Sequence, residues 1–260
     1  MAIQNDQYFS KTLEKGLTIL NLFNRDHSHR TLSEISQRTG INKTSTYRLI
    51  NTLVELGYLR KSKRSKLLSL GPRAFVLGHN FFYGFDLLQS IKPIIDKTFF
   101  EHKISIDSAL LHGHTLISLY RREMPNLIYF RLPLLMDQLY ARAMGKAVLA
   151  NLEQSGLTEF LKTVKRKKLT AYTLVDEEEI LKDIELTRNR GYSINNQEYV
   201  EGLICIGAPL INFNKNCVVG AVSLDFPCAE YSLEEIQHNF PGILTKLASE
   251  GSEIVTTIDF

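Results

Sequence analysis

The chain has 260 residues, 44% hydrophobic, 23% charged and 10% aromatic, with a net charge of +3. This is ordinary globular composition, which excludes disordered and fibrous classes, and the length suits one small and one medium domain better than a single core. The start carries no apolar segment behind basic residues, and no apolar run long enough to cross a bilayer follows, so neither secretion nor membrane insertion is expected. Cys205, Cys217 and Cys228 lack CxxC spacing and are expected to be reduced core thiols of a cytosolic protein.

The charge is unevenly placed. Residues 1–80 hold thirteen Lys and Arg against five acids, a net of +8, whereas the remainder holds eighteen against twenty-three, a net of −5. Such asymmetry points the N-terminal part at a polyanion.

In chain order, Leu13, Leu17, Ile19, Leu20 and Phe23 recur at helical spacing over about 10–24. Thr31 and Glu34 form a capping-box pattern opening a short helix to Thr39. Gly40 suits a left-handed helix end, Ile41 pins the bend, and Asn42 caps a third helix over 43–56. On that helix Leu49, Leu53 and Leu56 form the expected buried stripe, while Lys43, Thr44, Tyr47, Arg48 and Asn51 face outward. Gly57 ends it. Strands at 58–60 and 67–70 then flank the polar turn 61–66, which reads as a basic wing.

Helix, sharp turn, helix and basic hairpin match the winged helix-turn-helix plan, whose second helix enters the major groove of duplex DNA. Thr31, Lys43, Thr44, Ser45, Thr46, Tyr47 and Arg48 are the candidates for base edges and positioning contacts, and Lys61, Lys63, Arg64 and Lys66 for phosphates. The segment from Thr31 to Leu59 resembles the DNA-binding domain of the IclR family of regulators, with Leu70-Gly71-Pro72-Arg73 and Leu77-Gly78 matching its passage to the linker. The wing departs from that family's usual Asp/Gly turn, carrying Lys and Ser instead.

Pro72 begins a linker helix whose Phe75, Val76, Leu77, Phe81 and Phe82 call for a partner, naturally a second copy of the chain reading a second half-site. Asp86 opens a long helix to about residue 103 that contains Pro93. Strands are expected at 106–111, 115–120, 192–198, 203–211 and 218–225, and helices at 145–152, 157–164, 177–190 and 233–254. His112 and His114 flank a hairpin glycine without neighbouring ligand residues, so they are expected to face water rather than a metal.

This half resembles the IclR effector domain, a GAF-like fold, through 141–150, Gly191-Tyr192, 198–210 and 220–224. The resemblance implies effector contacts from Ala143, Met144, Gly145, Asn195, Cys205, Ser223 and Asp225. Ser223 and Asp225 stand two apart on one strand and so share a face. Relatives that bind small carboxylates tend to carry Asp and Ser where this chain has Asn195 and Asp225; a free carboxylate at Asp225 would repel an anion and favour a ligand bearing hydroxyl or amine groups. Leu119, Phe130, Leu132 and Met144 serve equally as cavity wall or core.

The expected organisation is a mainly α winged helix-turn-helix domain (1–71), a linker helix (72–85) and an α+β effector and assembly domain with an antiparallel sheet (86–260). The expected function is cytoplasmic, nucleoid-associated regulation of catabolic or metabolic genes. Its partners would be operator DNA, a small-molecule effector, and further copies of the chain in a dimer or dimer of dimers, with no membrane, cofactor or metal. An architectural DNA-binding protein without ligand is the alternative. No nucleophile elbow, phosphate loop or metalloprotease motif supports an enzyme tethered to DNA.

Overall fold

The computed structural model describes residues 8–24, 27–84, 86–125 and 134–258. Phe130 and Leu132 therefore lie outside the described residues, as does the side chain of Phe82. The chain divides into two compact units, residues 1–85 and 86–260.

In the first unit, α1 (Lys11–Asn21), α2 (Leu32–Thr39) and α3 (Lys43–Glu55) precede a hairpin of β1 (Leu59–Lys61) and β2 (Leu68–Leu70), and α4 (Pro72–Gly84) follows. The local signals act as expected. Glu34 N donates to Thr31 Oγ1 at 3.2 Å while Thr31 N donates to Glu34 Oε2 at 2.7 Å; these bonds hold the Glu34 carboxyl below its ordinary pKa. Gly40 closes α2 at φ 69°, a conformation costly for any residue with a Cβ. Ser45 N donates to the Asn42 side chain at 2.8 Å, capping α3.

Two stripes fall differently from their expected positions. On α3 the buried residues are Thr46 and Ile50, with Leu49 and Leu53 half-buried and Leu56 exposed. The face is thus rotated, because the core is anchored by Ile19, Ile35, Ile41, Leu59 and Leu68 rather than by the longest run of leucines. On α1, Ile19 is fully buried, but Leu13 and Leu17 are exposed. Arg30 bridges to Leu68 through two backbone hydrogen bonds, adding a third short edge to the wing sheet.

The second unit opens with α5 (Asp86–His102), in which Pro93 is accommodated. It is built on a six-stranded antiparallel sheet. In chain order the strands are β3 (Ser105–His112), β4 (Thr115–Arg122), β5 (Leu135–Met136), β6 (Ser193–Asn196), β7 (Leu203–Asn212) and β8 (Cys217–Pro227), and in space β5-β4-β3-β8-β7-β6. Between β5 and β6 run a 3₁₀ turn (Leu139–Ala141), α6 (Ala143–Ala150), α7 (Gln154–Thr163) and α8 (Glu177–Arg190). The chain then closes with α9 (Leu233–Asn239) and α10 (Pro241–Thr257). The single helix expected over 233–254 is two, because Pro241 has no N–H to continue α9 and instead opens α10. Phe240 at the break packs on Phe226 at 4.7 Å between ring centroids.

Strand alternation gives the sheet two unlike faces. Ile106, Leu224 and Ile206 are cross-strand neighbours on one face, the side on which α10 and α5 pack. The other face lies against α6. Its apolar end, from Ala109 and Ala221, joins Met144, Val148, Leu149, Phe160 and Ile184 in the main core. His114 belongs to this unit's surface less than expected: it is half-buried, its ring 5.9 Å from that of Phe160 and its Nε2 3.8 Å from Glu159. Cys217 is exposed, and Cys205 and Cys228 are half-buried free thiols rather than fully buried core groups.

Candidate DNA interface and buried polar cavity

On the first unit, Lys43, Thr44, Tyr47, Arg48 and Asn51 are exposed along α3, with Ser45 half-buried beside them. Lys61, Lys63, Arg64 and Lys66 are exposed on the wing, whose turn is tied by Ser62 N donating to Leu67 O at 2.8 Å and Lys66 N to Ser62 O at 3.1 Å. Thr31 is exposed at the start of α2, where its hydroxyl is already engaged with Glu34. Thr46 must be removed from the contact set. It is fully buried, and its hydroxyl donates to Ile41 O at 3.1 Å and Asn42 O at 3.0 Å, fastening the turn between α2 and α3.

On the second unit, the α6 face of the sheet carries two consecutive polar rungs. One runs Ser105, Asp225, Cys205, Asn195; the next runs Arg121, Asp107, Ser223, Gly207, Ser193. Most of these groups are fully buried, and burying them without partners would cost several kcal/mol in total, roughly 1–3 kcal/mol each. The second rung also seats α6. A Cβ on Gly207 would lie 2.7 Å from the Ala143 carbonyl carbon and 2.9 Å from Met144 N, so only glycine lets the helix start directly on β7. Ser193 Oγ donates to Ala143 O at 2.6 Å and fixes that approach.

Between the first turn of α6 and the first rung lies a cavity of about 30 Å³, room for one or two water molecules. Ala143, Met144, Asn195, Cys205, Ser223 and Asp225 all line it. The structure thus brings together six of the seven residues expected around an effector. Gly145 is not among them: a Cβ there would meet the Leu139 backbone at 2.2 Å, so this glycine serves the packing of α6 on the 3₁₀ turn.

The charges around the cavity are what the sequence reading missed. Arg121 Nη1 stands 3.2 Å from Asp107 Oδ2 and 3.4 Å from Asp225 Oδ2, and its Nη2 stands 3.3 Å from Glu123. Asp225 therefore does not present a bare negative charge, and the expectation that it would repel an anion is withdrawn. Burial, only partly offset by Arg121, pushes the Asp107 carboxyl up to about 7. Burial also raises the Cys205 thiol well above its ordinary value, with Asp225 adding to the effect, so it is not an activated nucleophile. On the opposite wall Arg142 is 4% exposed and lies 3.4 Å over the ring of Tyr199. Burial lowers its pKa.

Asn195 is spoken for: its Nδ2 donates to Ala141 O, and its Oδ1 accepts from Glu198 N at 3.2 Å. Glu198 in turn holds Lys146 of α6 at 2.5 Å, and Asp183 of α8 meets the same ammonium at 2.8 Å. This buried clamp ties the loop bearing Tyr199 to the helix bearing the cavity. Arg142 lies inside the 141–150 motif that carried the family resemblance, and Tyr199 follows Glu198 in a second one; aromatic and basic residues beside a small-residue helix start were the available signal.

Residues 79–253 match the family model described as the bacterial transcriptional regulator IclR C-terminal domain, and residues 12–63 match the IclR helix-turn-helix domain. The chain belongs to the IclR family. It is an IclR-type DNA-binding transcriptional regulator, with the winged helix-turn-helix unit first and the α+β antiparallel unit second. It is 28% identical over 250 residues to the Pca regulon regulatory protein of Pseudomonas putida, covering 94% of this chain and 83% of that one. Its identity to the transcriptional repressor IclR of Escherichia coli is 27% over 246 residues, with 92% and 88% covered. Among solved IclR-type folds, a homologue from Microbacterium hydrocarbonoxydans complexed with 4-hydroxybenzoate superposes at a TM-score of 0.76 with 19% identity, covering 95% of this chain and all of that one. Among the described residues of this IclR regulator no helix is long and apolar enough to cross a membrane.

Proposed function

We propose that this regulator binds operator DNA through α3 and the wing, and that a small effector entering the cavity under α6 changes its hold on that DNA. In this reading Lys43, Thr44, Ser45, Tyr47 and Arg48 meet base edges and flanking phosphates, Thr31 lies at the backbone, and Lys61, Lys63, Arg64 and Lys66 supply sequence-independent attraction. Residues 1–71 form the DNA-binding domain, 72–85 the linker, and 86–260 the effector and assembly domain. The unit acts as a homodimer or a pair of dimers, supported by the exposed Phe75, Leu77 and Phe81 on α4, at 73%, 55% and 55% exposure. It works in the cytoplasm, on catabolic or metabolic genes, and not as an enzyme.

The observation that carries the effector assignment is the double rung of buried polar side chains opening onto one cavity of the second unit. A domain kept only for assembly has no reason to bury Asp225, Ser223 and Asn195 beside a gap. Duplexes selected from a random library by the full chain, then titrated with and without a metabolite panel, test the proposal. A compound that shifts the DNA-binding curve supports it; selection of no sequence preference overturns the operator reading, and an unresponsive curve across the panel overturns the effector reading.

A further inference from the structure

The cavity of the second unit is walled by ten residues, of which eight are buried and only Tyr199 and Cys205 are half-buried. Cys205 stands in mid-sheet, paired with Asn195 on one side and Asp225 on the other, so it belongs to the floor. Tyr199 is the outer wall, and it alone of the lining residues is carried by the loop between β6 and β7. About 30 Å³ of space remains beneath it, so a molecule larger than one or two waters enters only when this wall moves.

The loop has hinges at both ends. Gln197 stands at φ 61° and Gly202 at φ 80°, both in the left-handed region, where a sharp change of chain direction is concentrated in one residue. Its neck is closed by Gln197 N donating to Leu203 O and Gly202 N donating to Gln197 Oε1, each at 3.0 Å. Residues 198–201 therefore form a flap on a fixed base. Three ties hold the flap down. The Tyr199 ring lies 3.4 Å from the Arg142 guanidinium and shares a hydrogen bond with it. The Glu198 carbonyl accepts from Thr173 Oγ1 at 2.6 Å. The third tie is ionic, Glu198 Oε1 meeting Lys146 Nζ at 2.5 Å. Lys146 is 2% exposed, and its other partners, Asp183 of α8 at 2.8 Å and Ile194 O of β6 at 3.1 Å, lie off the flap. With Glu198 uncharged, Asp183 still answers the ammonium, so the loss falls on the flap rather than on α6.

We propose that residues 198–201 are a lid over the cavity, pivoting at Gln197 and Gly202, latched shut by Glu198 on Lys146, with Tyr199 as the part that blocks the mouth. Lys146 and Glu198 are positioning residues: neither lines the cavity, and both act by holding Tyr199 in place. The proposal rests on the reading of the cavity as the effector site and adds how a compound reaches it, since the latch then sets how fast an effector enters and leaves.

Cys205, on the floor of the cavity, is the reporter for the test. In the full chain carrying Cys217→Ser and Cys228→Ser it is the one remaining thiol, and its modification by methyl methanethiosulfonate, followed by intact mass, registers lid opening. Labelling should be far slower than that of the exposed Cys217 in the unsubstituted chain. It should also be unchanged by urea well below the unfolding midpoint, because a local opening exposes little new surface. Glu198→Gln should speed it by about ten-fold or more, the range of a hydrogen bond to a charged group, and Tyr199→Ala should speed it as well. Asp183→Asn, which frees Lys146 from α8 but not from the flap, should leave it nearly unchanged. Hydrogen exchange of the wild-type chain gives a second reading, in which the amides of residues 198–202 open while those of 204–210 on β7 stay protected. That reading decides should Glu198→Gln fail to fold. Labelling of Cys205 only with the urea dependence of global unfolding, labelling as fast as that of Cys217, wild-type rates in both flap variants, or joint exchange of 198–202 with 204–210 overturns the lid. None of these outcomes bears on whether a compound fills the cavity; failure of the effector reading shows separately, as an unresponsive DNA-binding curve across the metabolite panel.

Discussion

Arg121 Nη1 lies 3.2 Å from Asp107 Oδ2, joining β4 to β3 inside the sheet, and the same nitrogen reaches Asp225 on β8 at 3.4 Å. One cation thus serves two buried carboxylates, and Asp107, fully buried, is the one that burial most disfavours as an anion.

The first prediction concerns pH. The native Asp107 pKa, about 7, lies above the ordinary 3.8, so the folded protein holds a proton that the unfolded chain has released between those values. The associated stability is complete below about pH 4 and is lost as pH rises through 7, at no more than about 1.4 kcal/mol per pH unit. Thermal unfolding of the full chain between pH 5 and 8 should show the effector unit weakening, with Asp107→Asn flattening the decline. Parallel curves for the two proteins would show that Asp107 carries no such proton.

Gly207→Ala should unsettle the cavity without touching its polar groups. The new Cβ would meet backbone atoms of Ala143 and Met144, which have no rotamer to yield, so α6 must lift from β7. A loss of about 2 kcal/mol or more is expected from such overpacking, read as a lowered denaturation midpoint. An unchanged midpoint would mean that the start of α6 is loosely seated.

Within the DNA-binding unit, Arg48→Ala and Lys63→Ala should behave differently. Removing Arg48 should cost about 1–3 kcal/mol on a selected duplex and little on a random one, whereas removing Lys63 should weaken both and lower the salt slope by about one. Fluorescence anisotropy at several salt concentrations separates the two, and equal losses for Arg48→Ala on both duplexes would reassign it to a phosphate contact.

Thr46→Val keeps the shape of a buried side chain but deletes the hydroxyl that donates to Ile41 O and Asn42 O. Stability should fall by about 1 kcal/mol, with the salt dependence of DNA binding unaltered. A changed salt slope would return Thr46 to the interface.

Phe75 is 73% exposed on α4. Phe75→Glu should shift the sedimentation of the chain toward monomer and weaken binding to a two-half-site duplex far more than to a single half-site. A wild-type chain that sediments as a monomer at micromolar concentration would reject the proposed assembly.

What the sequence determined by itself was everything written in local chemistry. Thr31 with Glu34, Gly40, Asn42 and Gly57 punctuate the first three helices because capping and positive φ depend on neighbours a few residues apart. The bounds of α8, Glu177–Arg190, were legible for the same reason, with Asp176 capping one end and Gly191 the other. The family motifs likewise marked six residues that the fold gathers around one cavity. What only the tertiary structure decided was which faces and charges meet. Thr46 rather than Leu56 turned inward, Gly145 turned out to pack rather than to line the cavity, and α9 broke before Pro241. The pairing of Arg121 with Asp107 and Asp225, and the meeting of Arg142 with Tyr199, span strands and a helix far apart in the chain. Periodicity records which side of its own element a residue occupies. Burial and ion pairing depend on the register between elements, which is set by the packing of the whole core.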